Sequence, residues 1–256
     1  MPSVIGIIGG SGFYNFVENL ITREISTPFG NVLVEIGDIN QVETIFIPRH
    51  GKNHRVAPSQ INYRANIFAL NSLKVDFILT TNAVGGLTKD FAIGDLVVAD
   101  QILDFTSNRE STFFDGSDLQ ITTRTGQRLN GVIHTDVSHA YTPSIRNLII
   151  ETAKSMDIKL HTSGTMVVSN GPRFESPAEI KAYRILGGDF VGMTSAPEVF
   201  LAKELEIPYA TIAVITNYGA GLQERVSADE VFELFSKRIE VVKSLIKRTI
   251  TASKGI

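Results

Sequence analysis

Short apolar runs that end in glycine-containing turns recur along this chain and constrain its fold more than any other feature. Residues 4–8 lead into Gly9-Gly10-Ser11-Gly12, and residues 77–81 lead into Asn82-Ala83-Val84-Gly85-Gly86. Most of these runs are too uniformly apolar to have a solvent-facing side, which indicates buried strands. Amphipathic segments alternate with them. The alternation predicts an α/β fold in which helices flank a central mixed sheet, and the length favours a single domain over residues 1–256.

The individual elements follow from local signals. The predicted strands are residues 4–8, 32–36, 42–47, 77–81, 95–102, 165–169, 190–193 and 209–216. Helix starts are predicted where a serine precedes a glutamate by three residues, at Ser176, Ser195 and Ser227. The last of these begins a long amphipathic C-terminal helix. Residues 106–139 are polar and irregular, and a segment of that length is expected to be functional or to meet another subunit.

Composition narrows the classes of function. The formal net charge is -3, the pI is about 6.0 and basic residues form no stripe, so nucleic acid and anionic membrane are poor partners. Without cysteine there is no disulfide, thiolate nucleophile or cysteine-bound metal. The five histidines show no metal-ligand spacing, so no metal is predicted. The N-terminal apolar run lacks the basic flank of a signal peptide, which indicates the cytoplasm.

Several strand ends carry groups that suit an anion. Arg49 and His50 follow one predicted strand, and an arginine offers a planar fork to phosphate oxygens. Thr194 stands just before a helix start, the positive end of the helix dipole. The glycine turn at Gly9 lacks both the third glycine of a dinucleotide fingerprint and the lysine of a P-loop. Free phosphate or a sulfate-like anion is therefore favoured over a nucleotide cofactor.

Eight ordered motifs resemble the methylthioadenosine phosphorylase and trimeric purine nucleoside phosphorylase family. They are I-I-G-G-S-G-F at 7–13, S-T-P-F-G at 26–30, P-R-H-G-K-N-H at 48–54, N-Y-R-A-N-I-F-A-L at 62–70, T-N-A-V-G-G-L at 81–87, G-P-R-F-E-S at 171–176, G-M-T-S-A-P-E at 192–198 and T-N-Y-G-A-G at 216–221. The resemblance implies a nucleoside phosphorylase fold and phosphorolysis of a purine nucleoside, with inorganic phosphate as co-substrate and no cofactor.

The same resemblance assigns residues to roles. Those implied to surround phosphate are Ser11, Arg49, His50, Asn82, Ala83 and Thr194. Met193 is expected to cover the ribose and Phe174 to stack near the purine. The family is typically a homotrimer, or a dimer of trimers, in which a neighbour's residue closes the 5′ side of the sugar; His134 falls at that position, and His54 matches another residue of the 5′ region.

The purine is expected to be read by Glu175 and by the segment Asn217-Tyr218-Gly219, which stands where the adenine-specific branch carries aspartates. A carboxylate only accepts, which suits the N1–H of a 6-oxopurine, while an amide can donate to N7 or O6. Asn217 is the predicted donor to the leaving base, and Arg49 and His50 complete the catalytic set by holding phosphate in line.

The 5′ group is less constrained by the sequence. Ala228 stands at the family position of a histidine, beside Val231 and Phe232, and an apolar wall suits methylthio better than hydroxyl. Methylthioinosine, inosine and guanosine are the substrates expected. The alternatives are an adenine-specific methylthioadenosine phosphorylase, a purine- or anion-binding module without turnover, a calcium-dependent nucleoside hydrolase and an NAD-linked dehydrogenase.

Overall fold

The computed structural model describes residues 3–10, 17–51 and 54–255, and confirms an α/β fold with a large mixed sheet. The strands are β1 Val4–Gly9, β2 Glu18–Thr27, β3 Gly30–Ile39, β4 Val42–Pro48, β5 Phe77–Gly86, β6 Leu96–Val98, β7 Gln101–Asp104, β8 Ile121–Thr122, β9 Arg128–Leu129, β10 Leu160–His161, β11 Thr165–Val168, β12 Phe190–Gly192 and β13 Tyr209–Tyr218. The α-helices are α1 Tyr63–Ser72, α2 Pro143–Ser155, α3 Pro177–Ile185, α4 Ser195–Glu204 and α5 Ala228–Ala252.

The sheet is organised around β5. Along its main path the order is β10-β6-β13-β5-β1-β4-β3-β2, and β12 also pairs with β5, carrying β11 and β7 with it. The central pairs β4–β1, β1–β5 and β5–β13 are parallel, so their carboxyl ends meet at one edge. In open α/β sheets this edge is where ligands bind.

Helices cover both faces of the sheet because successive strand residues point in opposite directions. In β13, Ile212 and Val214 pack with helices α2 and α5, whereas Ala213 and Ile215 pack in the cluster that contains α1 and α4. Both faces of the central strands are therefore apolar, as their uniform sequences predict.

Helix starts agree with the serine signals at two of three places. Ser176 forms a complete capping box with Glu179, and Ser227 accepts from the backbone N–H of Glu230. The box predicted for Ser195 and Glu198 is wrong. The N-cap of α4 is Thr194, the Ala196–Pro197 peptide is cis, and the Glu198 side chain turns into the protein.

The strand predicted over residues 95–102 is divided into β6 and β7. The first part pairs with β10 and β13, and the second pairs with β11, so the chain changes partners between them. Asp100, in the break, accepts a hydrogen bond of 2.8 Å from the Gly164 N–H. Strand β2 and helices α1 and α2 were not predicted. Within the described part of the chain, no helix has the length and apolarity needed to span a bilayer.

Candidate active site

A cavity of about 330 Å³ opens at the carboxyl ends of the central strands. It is closed on one side by the first turns of α5 and on another by the loop before α3. Its lining consists of Gly10, Arg49, His50, His54, Pro58, Thr81, Asn82, Ala83, Val84, Gly85, Pro172, Phe174, Glu175, Val191, Gly192, Met193, Thr194, Thr216, Asn217, Ala228, Val231, Phe232 and Phe235. Motifs that are far apart in the sequence thus meet around one space.

Arg49, immediately after β4, is buried at one end of the cavity. Its Nη2 donates to the Thr81 carbonyl, and its Nη1 lies 3.4 Å from Oε1 of Glu198. A guanidinium has five N–H donors, so these two bonds leave one hydrogen on each Nη, besides Nε. Arg49 Nε and Thr81 Oγ1 are buried and have no hydrogen-bond partner among the described residues. Donors of this kind suit an anion that would complete their bonding.

His50 is held in a defined tautomer beside this arginine. Its Nδ1 lies 2.9 Å from the Val56 carbonyl, which can only accept, so Nδ1 carries the proton and Nε2 is an acceptor. Burial and then the Arg49 charge lower the pKa of His50 to about 3. The ring of His54 lies 4.3 Å from the ring of His50, and burial also lowers the pKa of His54. His50 is therefore a neutral group at physiological pH.

Thr194 and Asn82 connect two strands at the same end of the cavity. The Thr194 hydroxyl donates to Oδ1 of Asn82 over 3.1 Å, and the Asn82 amide donates to the Thr211 hydroxyl over 3.3 Å. This chain of bonds fixes the Asn82 amide and sets Thr194 at the N-cap of α4. Thr194 makes no side-chain cap bond there, and Ala196 departs from helical geometry, so Thr194 and Ser195 precede the regular part of the helix.

Glu198 was missed by sequence reasoning as part of this site. The residue is fully buried, accepts 2.7 Å from the Tyr209 hydroxyl and forms the ion pair with Arg49. Burial raises the pKa of the Glu198 carboxyl, and the Arg49 charge opposes that rise. The only sequence signal was the Glu of G-M-T-S-A-P-E, which fits a helix cap equally well.

Glu175, which is 8% exposed, also lines the cavity. The Ser169 hydroxyl donates to its Oε1 and so fixes the carboxylate against the end of β11. Phe174 is more open, with 36% of its surface exposed at the cavity. A planar apolar side chain beside a held carboxylate suits an aromatic ligand with an N–H donor on its edge.

Asn217 is aimed by an irregularity in β13. The β5–β13 register shifts between Ile215 and Asn217, and bulges of this kind redirect a side chain. Oδ1 of Asn217 accepts from the Thr216 hydroxyl over 2.9 Å, and Nδ2 donates to the Tyr218 carbonyl over 2.9 Å. A Cβ on Gly85 would lie 3.1 Å from that Nδ2, so the glycine makes room for the amide. The second Nδ2 hydrogen is available to a ligand.

The wall contributed by α5 is apolar. Ala228, Val231, Phe232 and Phe235 all line the cavity, and the ring of Phe232 stands edge-on to His54 at 5.3 Å between centroids. Three of the four were expected at the 5′ region of a nucleoside.

Two predicted site residues that the structure describes, His134 and Gly219, do not line the cavity. A third, Ser11, lies outside the described residues. His134 is exposed and does not line the cavity, and Gly219 packs where a Cβ would come within 2.8 Å of Ile180. The roles of these residues stay predictions. Among the described residues no group of three or more His, Asp or Glu side chains is placed to hold a metal ion.

Known phosphorylases resemble this chain over most of its length. A family model described as the phosphorylase superfamily matches residues 4–251. The 6-oxopurine nucleoside phosphorylase of Pyrococcus furiosus is 45% identical over 96% of this chain and 91% of its own length. The S-methyl-5′-thioadenosine phosphorylase of the same organism is 41% identical over 98% and 92%.

Solved structures show the same likeness. Methylthioadenosine phosphorylase from Schistosoma mansoni in complex with adenine superposes with a TM-score of 0.91 and 33% identity, over 99% of this chain and 93% of that one. Family model, relatives and fold agree over nearly the whole length: the chain belongs to the phosphorylase superfamily.

Proposed function

We propose that this enzyme cleaves a 6-oxopurine nucleoside with inorganic phosphate, giving the free purine and a ribose 1-phosphate. The observation that carries the proposal is that one cavity is lined by anion-binding groups and also by a held carboxylate and an oriented amide. We place phosphate at Arg49 and Thr194, the phosphate end, and the purine at Glu175 and Asn217, the purine end.

Catalysis follows from where charge develops. As the glycosidic bond stretches, the ribose becomes oxocarbenium-like and the purine gains negative charge. Asn217, whose amide is already oriented by Thr216 and Tyr218, donates to the leaving base. Phosphate attacks the anomeric carbon as the bond breaks, so no covalent enzyme intermediate is required. The protein's contribution is position and electrostatic stabilisation.

Phosphate is held by groups of complementary hydrogen-bonding character. Arg49 supplies N–H donors and charge, and Thr194 lies with the N-terminus of α4. Asn82, Ala83 and Ser11 belong to the same proposed set. Because His50 is neutral with Nε2 unprotonated, it accepts from the hydroxyl of hydrogen phosphate and adds no positive charge.

Preference for a 6-oxopurine rests on Glu175. An acceptor-only side chain bonds the N1–H of hypoxanthine or guanine, whereas adenine presents an unprotonated N1 that would oppose the carboxylate. Relatives named for 6-oxopurine nucleosides support this choice. Relatives named for methylthioadenosine make adenine specificity the alternative.

The apolar α5 wall supports methylthioinosine as a substrate. A methylthio group loses nothing against Val231 and Phe232, whereas a 5′ hydroxyl there would give up its hydrogen bond with water. Met193 covers the ribose in this arrangement, with His54 near the 5′ carbon. A homotrimer in which a neighbour's His134 closes this side completes the proposal.

The test is a phosphorolysis panel of inosine, guanosine, adenosine, methylthioinosine and methylthioadenosine, with and without phosphate. Purine release should require phosphate, and the 6-oxo compounds should have the higher kcat/KM. Faster cleavage of methylthioadenosine than of methylthioinosine would establish the adenine-specific alternative. Release at the same rate without phosphate would identify a hydrolase and overturn the proposal.

A further inference from the structure

Arg109 makes the most extensive set of side-chain hydrogen bonds near the cavity without lining it. Its Nη1 donates to the carbonyls of Met193 at 2.9 Å and Ala196 at 2.6 Å, and lies 3.1 Å from the Tyr63 hydroxyl. Its Nη2 donates to the carbonyls of Asn170 at 2.9 Å and Ser169 at 3.4 Å. Nε donates to Oδ1 of Asn170 at 3.2 Å. All five donors of the guanidinium are thus engaged.

These acceptors lie where two paired strands separate. Strands β11 and β12 are parallel neighbours up to the pair Val168 and Gly192. Beyond that point one chain continues through Asn170 toward the purine end, and the other continues through Met193 into α4. Arg109 occupies the gap and bonds to both, which replaces the strand–strand hydrogen bonds that end there.

Each side of the gap leads directly to a group of the cavity. Ser169, whose carbonyl bonds to Arg109, donates its hydroxyl to Glu175. Met193, whose carbonyl also bonds to Arg109, precedes Thr194, and both line the cavity. One guanidinium therefore connects the backbone of the purine end to the backbone of the phosphate end.

We infer that Arg109 is a positioning residue that sets the distance between the phosphate-holding and purine-reading walls. The inference rests on the proposed phosphorolysis, which needs phosphate, sugar and purine aligned in one geometry. A misplacement of about 1 Å between these parts costs on the order of 100-fold in rate. Arg109 belongs to the 106–139 segment, so this segment supports the walls of the cavity without lining it at this residue.

Lysine cannot perform this task. An ammonium presents its three donors from a single atom, whereas the acceptors here surround a planar fork on both sides. Arg109→Lys and Arg109→Ala are therefore expected to share one defect, a fall in kcat/KM of about 100-fold with raised KM values for both phosphate and inosine. Millimolar guanidinium chloride should restore activity to Arg109→Ala and leave Arg109→Lys unchanged, because the lysine side chain occupies the space.

Arg124→Ala is the matched control. Arg124 belongs to the same segment, and its guanidinium also donates to acceptors far away in the sequence, the Val75 carbonyl and the Asp76 carboxylate, but it does not line the cavity. This variant should keep wild-type KM values and show no response to guanidinium. Thermal unfolding of each variant reports on stability separately. A merely structural role would reduce the active fraction, and hence apparent kcat, while leaving both KM values unchanged.

A milder variant covers the case in which Arg109→Ala fails to fold. Asn170→Ala removes the Oδ1 that accepts from Nε at 3.2 Å and from the Ser107 N–H at 3.5 Å, and it keeps the other donors of Arg109 engaged. This change lies on the purine side of the gap and should raise KM for inosine more than KM for phosphate. Wild-type KM values in folded Arg109→Ala, no effect of guanidinium on it, or an unaltered Asn170→Ala enzyme would overturn the inference. Failure of the wild type to release purine with phosphate would instead overturn the proposed function.

Discussion

At the scale of residues, the proposed purine selectivity depends on one carboxylate and one amide. Exchanging Asn217 for Asp places an acceptor where a 6-amino group can donate, and exchanging Glu175 for Ser removes the partner of N1–H. The double variant should lower the ratio of kcat/KM for inosine to that for adenosine by at least about tenfold. Glu179→Gln, at an exposed capping-box glutamate nearby, is the control. An unchanged ratio in the double variant would refute the base-reading roles.

His50 gives the protein a predictable acid sensitivity. The unfolded chain binds a proton at this histidine below about pH 6.5, whereas the folded protein resists protonation until about pH 3. The unfolded state therefore holds more protons in this window, and stability falls as pH falls. The slope approaches about 1.4 kcal/mol per pH unit for one such group. Between pH 7 and 5, wild type should lose about 1–2 kcal/mol more than His50→Gln.

Denaturant titrations at both pH values and one protein concentration measure this difference. His139→Gln, at an exposed position, serves as the control and should follow the wild type. Equal acid losses in wild type and His50→Gln would show that the folded protein protonates His50 as readily as the unfolded chain does.

Single residues were predictable where a motif assigns them one environment. Arg49 and His50 follow a predicted strand, and the family motif around them decides for the sheet edge over a surface arginine and a core histidine. Glu198 has a second plausible use as a helix cap, and its actual partner is a buried arginine 149 residues away in the chain. Arg109 carries no local signal at all, because each of its partners is distant in sequence.

At the scale of elements, helix α5 both packs against the sheet and lines the cavity, and its apolar periodicity does not distinguish these two roles. Phe235, Ile239 and Val242 pack against the sheet as the apolar stripe predicts. The first two turns line the cavity with Val231 and Phe232, and Phe235 belongs to both surfaces. A stripe fixes the buried face of a helix, but not whether its end meets core or ligand.

Changing the polarity of this wall tests its proposed role. Val231→Thr replaces a methyl with a hydroxyl at nearly constant shape and gives a 5′ hydroxyl a partner. The ratio of kcat/KM for methylthioinosine to that for inosine should fall by about 10-fold, the effect of one hydrogen bond in a partly buried site. Val241→Thr, on the same helix and away from the cavity, should leave the ratio unchanged. If both variants keep the wild-type ratio, the α5 wall does not read the 5′ group.

The other elements differ in whether their own sequence or their pairing with distant segments determines their secondary structure. Strands β1, β4 and β13 are short apolar runs bounded by turn residues, which the sequence alone identifies. Strand β2 is mostly exposed and polar, and it exists because β3 pairs with it along its length. Such a strand has no signal of its own, because tertiary pairing outweighs its intrinsic preference.

At the scale of the whole molecule, the alternation of apolar strands with amphipathic helices predicts the fold class. The position of the site depends instead on the topology of the sheet. Parallel pairing brings the ends of β1, β4, β5 and β13 to one edge, and the motifs at those ends then share one cavity. Pairing order is not encoded in any single segment, so only the family resemblance could group the motifs before the structure did. Several residues of the 106–139 segment are exposed, among them Val132, His134 and Val137. The part of a single chain that the structure describes therefore leaves these side chains open to solvent.

A mixing experiment decides whether His134 serves a neighbouring site. Asn217→Ala removes a group of the chain's own cavity, and His134→Ala removes the group proposed to reach the next subunit. In a ring of randomly mixed subunits, a site is intact when two conditions hold together. Its cavity must come from a His134→Ala chain, which keeps Asn217, and its histidine must come from a neighbouring Asn217→Ala chain, which keeps His134. About a quarter of the sites meet both conditions. Co-refolding equal amounts should therefore restore inosine phosphorolysis to about a quarter of wild type, well above either variant refolded alone. A histidine acting within its own chain leaves every mixed site lacking one group, and activity then stays at the mean of the two separate variants.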